Sequence, residues 1–293
     1  MQIRIGYDIT FAHPAPTPMI LMLHVHPSRA DDLLAPDRMR VTPALPLHAY
    51  TDRFGNTCTR LVAPQGTIRF AADAIVFDEG TPDPVVPDAI QHEIAELPHD
   101  VLMYLLGSRY CETDRLMNVA WSLFSGTPKG WGRVQAICDF VNSHIAFDYG
   151  RASPVRTAYD ALEQRAGVCR DFAHLAIAFC RCMNIPARYC TGYLGDIGVP
   201  IDPAPMDFSA WFEAYLGGRW YAFDARHNIP RIGRIPMARG RDATDVAIST
   251  AFGAGTLVSF KVVTDEIETA EKTPAMAALE RRTRRWYGAR AAG

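Results

Sequence analysis

Two blocks of the sequence carry residues able to do chemistry. The first, GVCRDFAHLAIAFCRCMNIPARY from Gly167 to Tyr189, sets Cys169 directly at the start of a helical pattern. Phe172, Leu175, Ala176, Phe179 and Met183 fall at i, i+3, i+4, i+7 and i+11, one apolar stripe, and Asn184 with Pro186 marks its end. A helix amino terminus offers free backbone N–H groups and roughly half a positive charge, which favour thiolate over thiol. Cys169 would be activated there as a nucleophile, and the same N–H groups would bind an oxyanion forming on an attacked carbonyl. Gly167 allows a tight turn into the helix. Cysteine is also at home as a small buried hydrophobe. That bland role suits Cys180, Cys182 and Cys190, so a nucleophilic Cys169 needs a base and a group that orients the base.

The second block, MDFSAWFEAYLGGRWYAFDARHN from Met206 to Asn228, is where such partners would lie. Gly217 and Gly218 between aromatic-rich alternating runs predict a two-residue hairpin. That turn pairs Leu216 with Arg219, and the register continues to Trp211 opposite Asp224 and Ser209 opposite Arg226. Ser209 and Asp224 become diagonal neighbours at roughly 7 to 8 Å between backbones, too far for a serine side chain to bridge. His227, three residues beyond Asp224, would pair with Phe208 and face the other way. Only a bulge or bend after Asp224 would return it as a base. Trp211 shares the face of Asp224 and, with Arg170, is a candidate lining of a substrate groove.

The elements that must position these residues come in a definite order. Short β-rich runs separated by Pro, Gly, Asn and Asp fill the first part, as in a β-sandwich. The Pro-rich DEGTPDPVVPDAI, Asp78 to Ile90, reads as a linker. Helical spacing follows in HDVLMYLLGSRYC, TDRLMNVAWSLFSG, GWGRVQAICDFVNSHI and TAYDALEQRAG, the last capped by Thr157 with Asp160 in its first turn. From Ala187 the pattern is strand-like through TLVSFKVV, and a last helix starts near Pro274. The class is α+β: a β-sandwich over 1–85, a connection over 86–98, a core of helices packed on an antiparallel sheet over 99–270, and a C-terminal helix and tail over 271–293.

The first block and AWFEAYLGGRWYAFDARHN resemble the nucleophile block and the second triad block of bacterial transglutaminase-like proteins, which share a papain-like thiol fold. The amino-terminal half, including TDRFGN at Thr51 to Asn56, is similar to the β-rich domain that often precedes this core. The resemblance implies a transglutaminase-like cysteine acyltransferase or amidase/peptidase. In it Cys169 would form a thioester with a glutamine or peptide amide, supported by Asp224, with no cofactor, no metal and no calcium. The sequence departs from the family where histidine precedes AW: Ser209 stands there. Three readings follow. His227 substitutes as base; or the helix start alone ionises Cys169 for slow chemistry on activated esters; or the protein is an inactive peptide- or protein-binding module. The joint presence of Cys169 and Asp224 favours activity.

Other features have quieter readings. His24 and His26 suit a surface pair better than a metal site, His174 lies about 140° round the helix from Cys169 and should be packed behind it, and His144 ends a helix where a cation suits the dipole. The arginine-rich Ala225 to Asp245 reads as an irregular surface segment of solvated charge. ERRTRRW, Glu280 to Trp286, is a basic last turn that needs no partner. Thirty basic and thirty-two acidic side chains leave a net charge of -2, which argues against nucleic acid or an anionic membrane as partner. The expected partner is a protein or peptide substrate, with oligomeric state left open. The start shows no secretory pattern and no stretch has a spanning helix's apolar length, so the expected location is cytoplasmic. Seven cysteines without zinc-type pairs read as free thiols.

Overall fold

Alternation along the first strand sets the amino-terminal architecture. In β1 (Gln2–His13) Ile3, Ile5, Tyr7 and Ile9 are buried, while Arg4 and Asp8 point outward to Asp73 and Arg69 across the sheet. With β2 (Thr17–Leu21), β3 (Arg40–Thr42), β4 (His48–Thr51), β5 (Thr57–Ala63) and β6 (Gly66–Phe77) it encloses an apolar core that includes Met19, Leu21, Leu61, Ile68 and Phe70. The computed structural model describes residues 1–267. The expected helix from Pro274 and the basic ERRTRRW lie outside the described residues.

The helices come next: α1 (Thr113–Phe124), α2 (Trp131–His144) and α3 (Ala158–Gln164), with the short parallel pair β7 (Ala146–Phe147) and β8 (Ala166–Gly167) leading into α4 (Cys169–Cys182). Thr157 caps α3 as expected. Its Oγ1 accepts from Asp160 N–H at 3.2 Å while Asp160 Oδ2 accepts from Thr157 N–H at 3.1 Å. Thr157→Ala is expected to cost about 1 kcal/mol, read as a lower urea midpoint.

The sheet of the core has the order β11-β10-β9-β12, built from β9 (Ala187–Tyr193), β10 (Ser209–Leu216), β11 (Arg219–Phe223) and β12 (Ile235–Gly240). Between it and α1 to α3 lies α4, buried on every side from Asp171 to Cys182 rather than along one stripe. Asn184, at φ 63°, ends it in the left-handed region, and Pro186 follows. Gly217 and Gly218, at φ 54° and 81°, make the β10–β11 turn with Leu216 opposite Arg219, the register read from sequence.

The last strands depart from expectation. β14 (Thr256–Glu266), read as part of the core sheet, instead pairs with β1, giving the order β14-β1-β6-β3. β13 (Ser249–Ala251) likewise joins β2 in the order β13-β2-β5-β4. The twelve-residue β1 would otherwise present a long bare edge, a liability that a returning strand removes. Alternation fixes which residues face inward but not which strand is the neighbour. The two units also share apolar contacts, since Tyr193, Phe208, Ile235 and Met237 pack into the amino-terminal core.

Candidate active site

Cys169 owes its position to a buried carboxylate. At the foot of α4, Asp171 Oδ2 accepts from Val168 N–H at 2.9 Å and from Arg156 at 3.2 Å. Asp171 and Phe172 both give their N–H groups to Val168 O, so helix geometry leaves those of Cys169 and Arg170 free. Gly167 is required here for clearance: a Cβ on it would stand 2.5 Å from Asp171 Oδ2 and 2.7 Å from its Cβ. Gly167→Ala is expected to displace this cap and lower stability by about 1 to 3 kcal/mol, measured by denaturant unfolding.

Of the seven cysteines, all unpaired, Cys169 alone is not buried. It opens onto a narrow cleft of about 50 Å³ together with Tyr149, Asp207, Ser209, Arg226 and His227. Drug-sized ligand sites run to roughly 300 Å³ or more, so this space suits a single side chain. The electrostatics reverse one expectation. Desolvation pushes the Cys169 thiol up to about 11; Arg226 and the Ala210 N–H pull it down, Asp207 and Asp224 push it further up, and desolvation wins. Burial at the cleft thus works against the helix start, which favours the thiolate.

The chain beyond β11 brings a histidine to the same cleft. Pairing with β10 ends at Phe223, and Asp224 opens a turn in which its Oδ1 accepts from the N–H groups of Arg226 at 3.0 Å and His227 at 3.1 Å. Asn228 N–H closes the turn on Asp224 O at 2.7 Å, with Asn228 at φ 52°. From α2, Asn142 holds the carbonyls of Ala225 and Arg226, and Gln135 and Asp139 hold the Asn228 side chain. His227 is thus turned back, and its Nδ1 lies 2.8 Å from Asp224 Oδ2. A carboxylate only accepts, so Nδ1 carries the proton and Nε2 is the basic nitrogen. Burial pushes the Asp224 carboxyl upward, but the Arg234 guanidinium at 3.0 Å and His227 outweigh it and hold it well below the usual carboxylate range.

Two expected groove residues lie elsewhere. Trp211 is 2% exposed and sits beneath the Arg234 guanidinium, 5.2 Å from ring centre to Cζ, because the sheet face it shares with Asp224 is covered. Arg170 donates to Ser153 O and lies over Tyr110, away from the cleft. Ser209 does line the cleft, 8% exposed. His174 is packed as expected, stacked on Tyr110, against the tilted ring of Tyr189, and accepting from Ala243 N–H at 3.1 Å. His24 and His26 are not a surface pair: His24 meets Asp37 and Thr59, and His26 caps a 3-10 turn through Ser28 N–H. His144 Nε2 donates to Leu162 O. Nor is Ala225 to Asp245 solvated charge. Arg231 and Arg234 are buried, and Arg239 on β12 shares Glu213 with Arg188. Sequence reasoning missed Arg226, Arg234 and Asp83; the one signal was the density of arginines directly after Asp224.

A central helix beginning at a cleft cysteine and packed on an antiparallel sheet is a cysteine-enzyme fold. The family description Transglutaminase-like superfamily matches residues 119–225, which enclose Cys169, Ser209 and Asp224 and end before His227. The crystal structure of a candidate cysteine protease from Cytophaga hutchinsonii is similar at 32% identity and a TM-score of 0.78, over 94% of this chain and 93% of that one. An uncharacterized protein of Mycobacterium leprae is 34% identical over 120 residues, 39% of this chain and 42% of that protein, so the match spans less than half of the curated relative. The periplasmic domain of TgpA from Pseudomonas aeruginosa gives 16% identity and a TM-score of 0.36 over 76% of this chain and 88% of that one. The chain belongs to the bacterial transglutaminase-like family. Among the described residues no helix is long and apolar enough to cross a membrane.

Proposed function

We propose that the protein is a cysteine acyltransferase or amidase acting on a side-chain or peptide amide of a protein or peptide. The observation that carries this reading is the 2.8 Å bond from His227 Nδ1 to Asp224 Oδ2 at the cleft that also holds Cys169. As Cys169 sulfur attacks the amide carbon, its proton passes to His227 Nε2. The tetrahedral oxyanion meets the free N–H groups at the start of α4, the C–N bond breaks, and His227 returns the proton to the leaving amine. A thioester remains on Cys169. An amine or water then attacks it, His227 takes the new proton, and the thiol is restored as the acyl group departs.

The small cleft supports an extended amide-bearing side chain such as glutamine. The reading in which the helix start ionises Cys169 unaided loses support from the raised thiol. That same rise, with Ser209 in place of the family histidine, is what favours a binding module without chemistry. Ammonia release from glutamine-containing peptides, followed with and without a fluorescent primary amine, separates these. Release that Cys169→Ala abolishes is the expected result, with amine incorporation marking transfer and its absence marking hydrolysis. Equal release from Cys169→Ala would sink the proposal.

A further inference from the structure

Arg234 is 8% exposed, yet it makes three polar contacts that tie distant parts of the chain together. Its Nε donates to Asp83 Oδ2 at 2.7 Å in the Pro-rich linker. Its Nη2 donates to Asp224 Oδ2 at 3.0 Å, the same oxygen that accepts from His227 Nδ1. Its carbonyl accepts from Arg29 Nη1 at 3.0 Å, and Arg29 also holds Phe77 O at the end of β6. Asp83 is fixed in turn by exchanging backbone bonds with Arg231: Asp83 N–H donates to Arg231 O, and Asp83 Oδ2 accepts from Arg231 N–H, both at 2.9 Å. Trp211 forms the floor under the guanidinium.

We propose that Arg234, held by the linker carboxylate Asp83, is a positioning residue that sets the orientation and charge of the Asp224–His227 pair. This rests on the reading of His227 as the base. The physical content is a graded chain of charge. Asp224 favours the imidazolium that forms when His227 takes the Cys169 proton, Arg234 tempers that effect from the other side of one carboxylate oxygen, and Asp83 partly neutralises Arg234. The planar guanidinium fork reaches both carboxylates at once, which an ammonium does not do with the same geometry.

The remaining charged or titratable groups on the cleft side of His227 are Cys169, Asp207, Arg226, Arg231, Asp196 and Asp202, with Tyr149. None of them changes in the variants that test the proposal. The readout is the His227 titration midpoint, followed by nitrogen NMR of histidine-labelled full-length protein. Arg234→Gln removes the tempering charge and is expected to move the midpoint up by roughly half to one pH unit. Asp83→Asn leaves Arg234 less compensated and is expected to move it down, by about half as much. Arg234→Lys keeps the charge and should hold it near the wild-type value. Opposite shifts are a signature that simple loss of packing does not produce.

If Arg234→Gln does not fold, Asp83→Asn decides alone: a downward shift supports the proposal, and an unmoved or raised midpoint overturns it. With both variants folded, midpoints that stay in place overturn it as well. The titration needs no turnover, so failure of the amide chemistry would appear in ammonia release and failure of the clamp would appear here.

Discussion

Asp224→Asn is expected to lower amide turnover by roughly 10³- to 10⁴-fold, a loss comparable to that of removing His227 itself. The wild-type carboxylate accepts from His227 Nδ1 at 2.8 Å and so keeps the proton off Nε2. An asparagine amide can donate to Nδ1 instead, which places the imidazole proton on Nε2 and removes the base. The same substitution takes one negative partner from the buried Arg234, leaving it Asp83. A stability loss of about 1 to 3 kcal/mol is expected with it. Comparing kcat/KM with the urea midpoint separates the two effects, since unfolding alone would not lower turnover per folded molecule.

The pH dependence of that stability loss has a definite sign. Asp224 has a folded-state pKa held below its unfolded value of about 3.9. Its contribution is therefore fully present above the unfolded value and is lost as pH falls through the folded one. The stability gap between wild type and Asp224→Asn should stay constant from neutral pH down to about pH 5 and close only in stronger acid.

His227→Ala is expected to slow ammonia release from a glutamine peptide by roughly 10²- to 10⁴-fold, the usual worth of a positioned general base. Burial pushes the Cys169 thiol up, so ionisation gains from a neighbouring base. A half-buried turn residue contributes little to the core, so stability should change by no more than about 0.5 kcal/mol. Pairing the substitutions sharpens the test. If Asp224 acts through His227, the double variant Asp224→Asn/His227→Ala should be no slower than His227→Ala alone; losses that multiply would show that the two act separately.

Much of this site was legible in the residues. Cys169 at the start of α4, the Gly217–Gly218 turn and its register, and the Thr157 cap all follow from local rules, because each depends on neighbours within a few positions. His227 did not follow. Strand alternation carried past Phe223 turns its ring from Asp224, whereas Asp224 ends the strand and folds the next three residues over its own carboxylate. An aspartate that bonds the backbone two residues on and an asparagine that tolerates the left-handed region are both turn chemistry, which competes with alternation without announcing which prevails. The buried arginines were misread for a related reason. Arginine is usually a surface residue, and only the fold reveals that Asp83, Asp224 and Glu213 lie where Arg234 and Arg239 must go. The thiol's raised pKa was hidden as well, since desolvation depends on what packs around the helix start and not on the helix itself.

Transfer of the Cys169 proton to His227 can be tested directly, with no knowledge of the substrate. The measurement is the rate of Cys169 alkylation by iodoacetamide at pH 7.5, located by peptide mass mapping, in wild type and in His227→Ala. The variant is expected to react at least about 10-fold more slowly at Cys169. Equal rates in the two proteins would contradict that transfer.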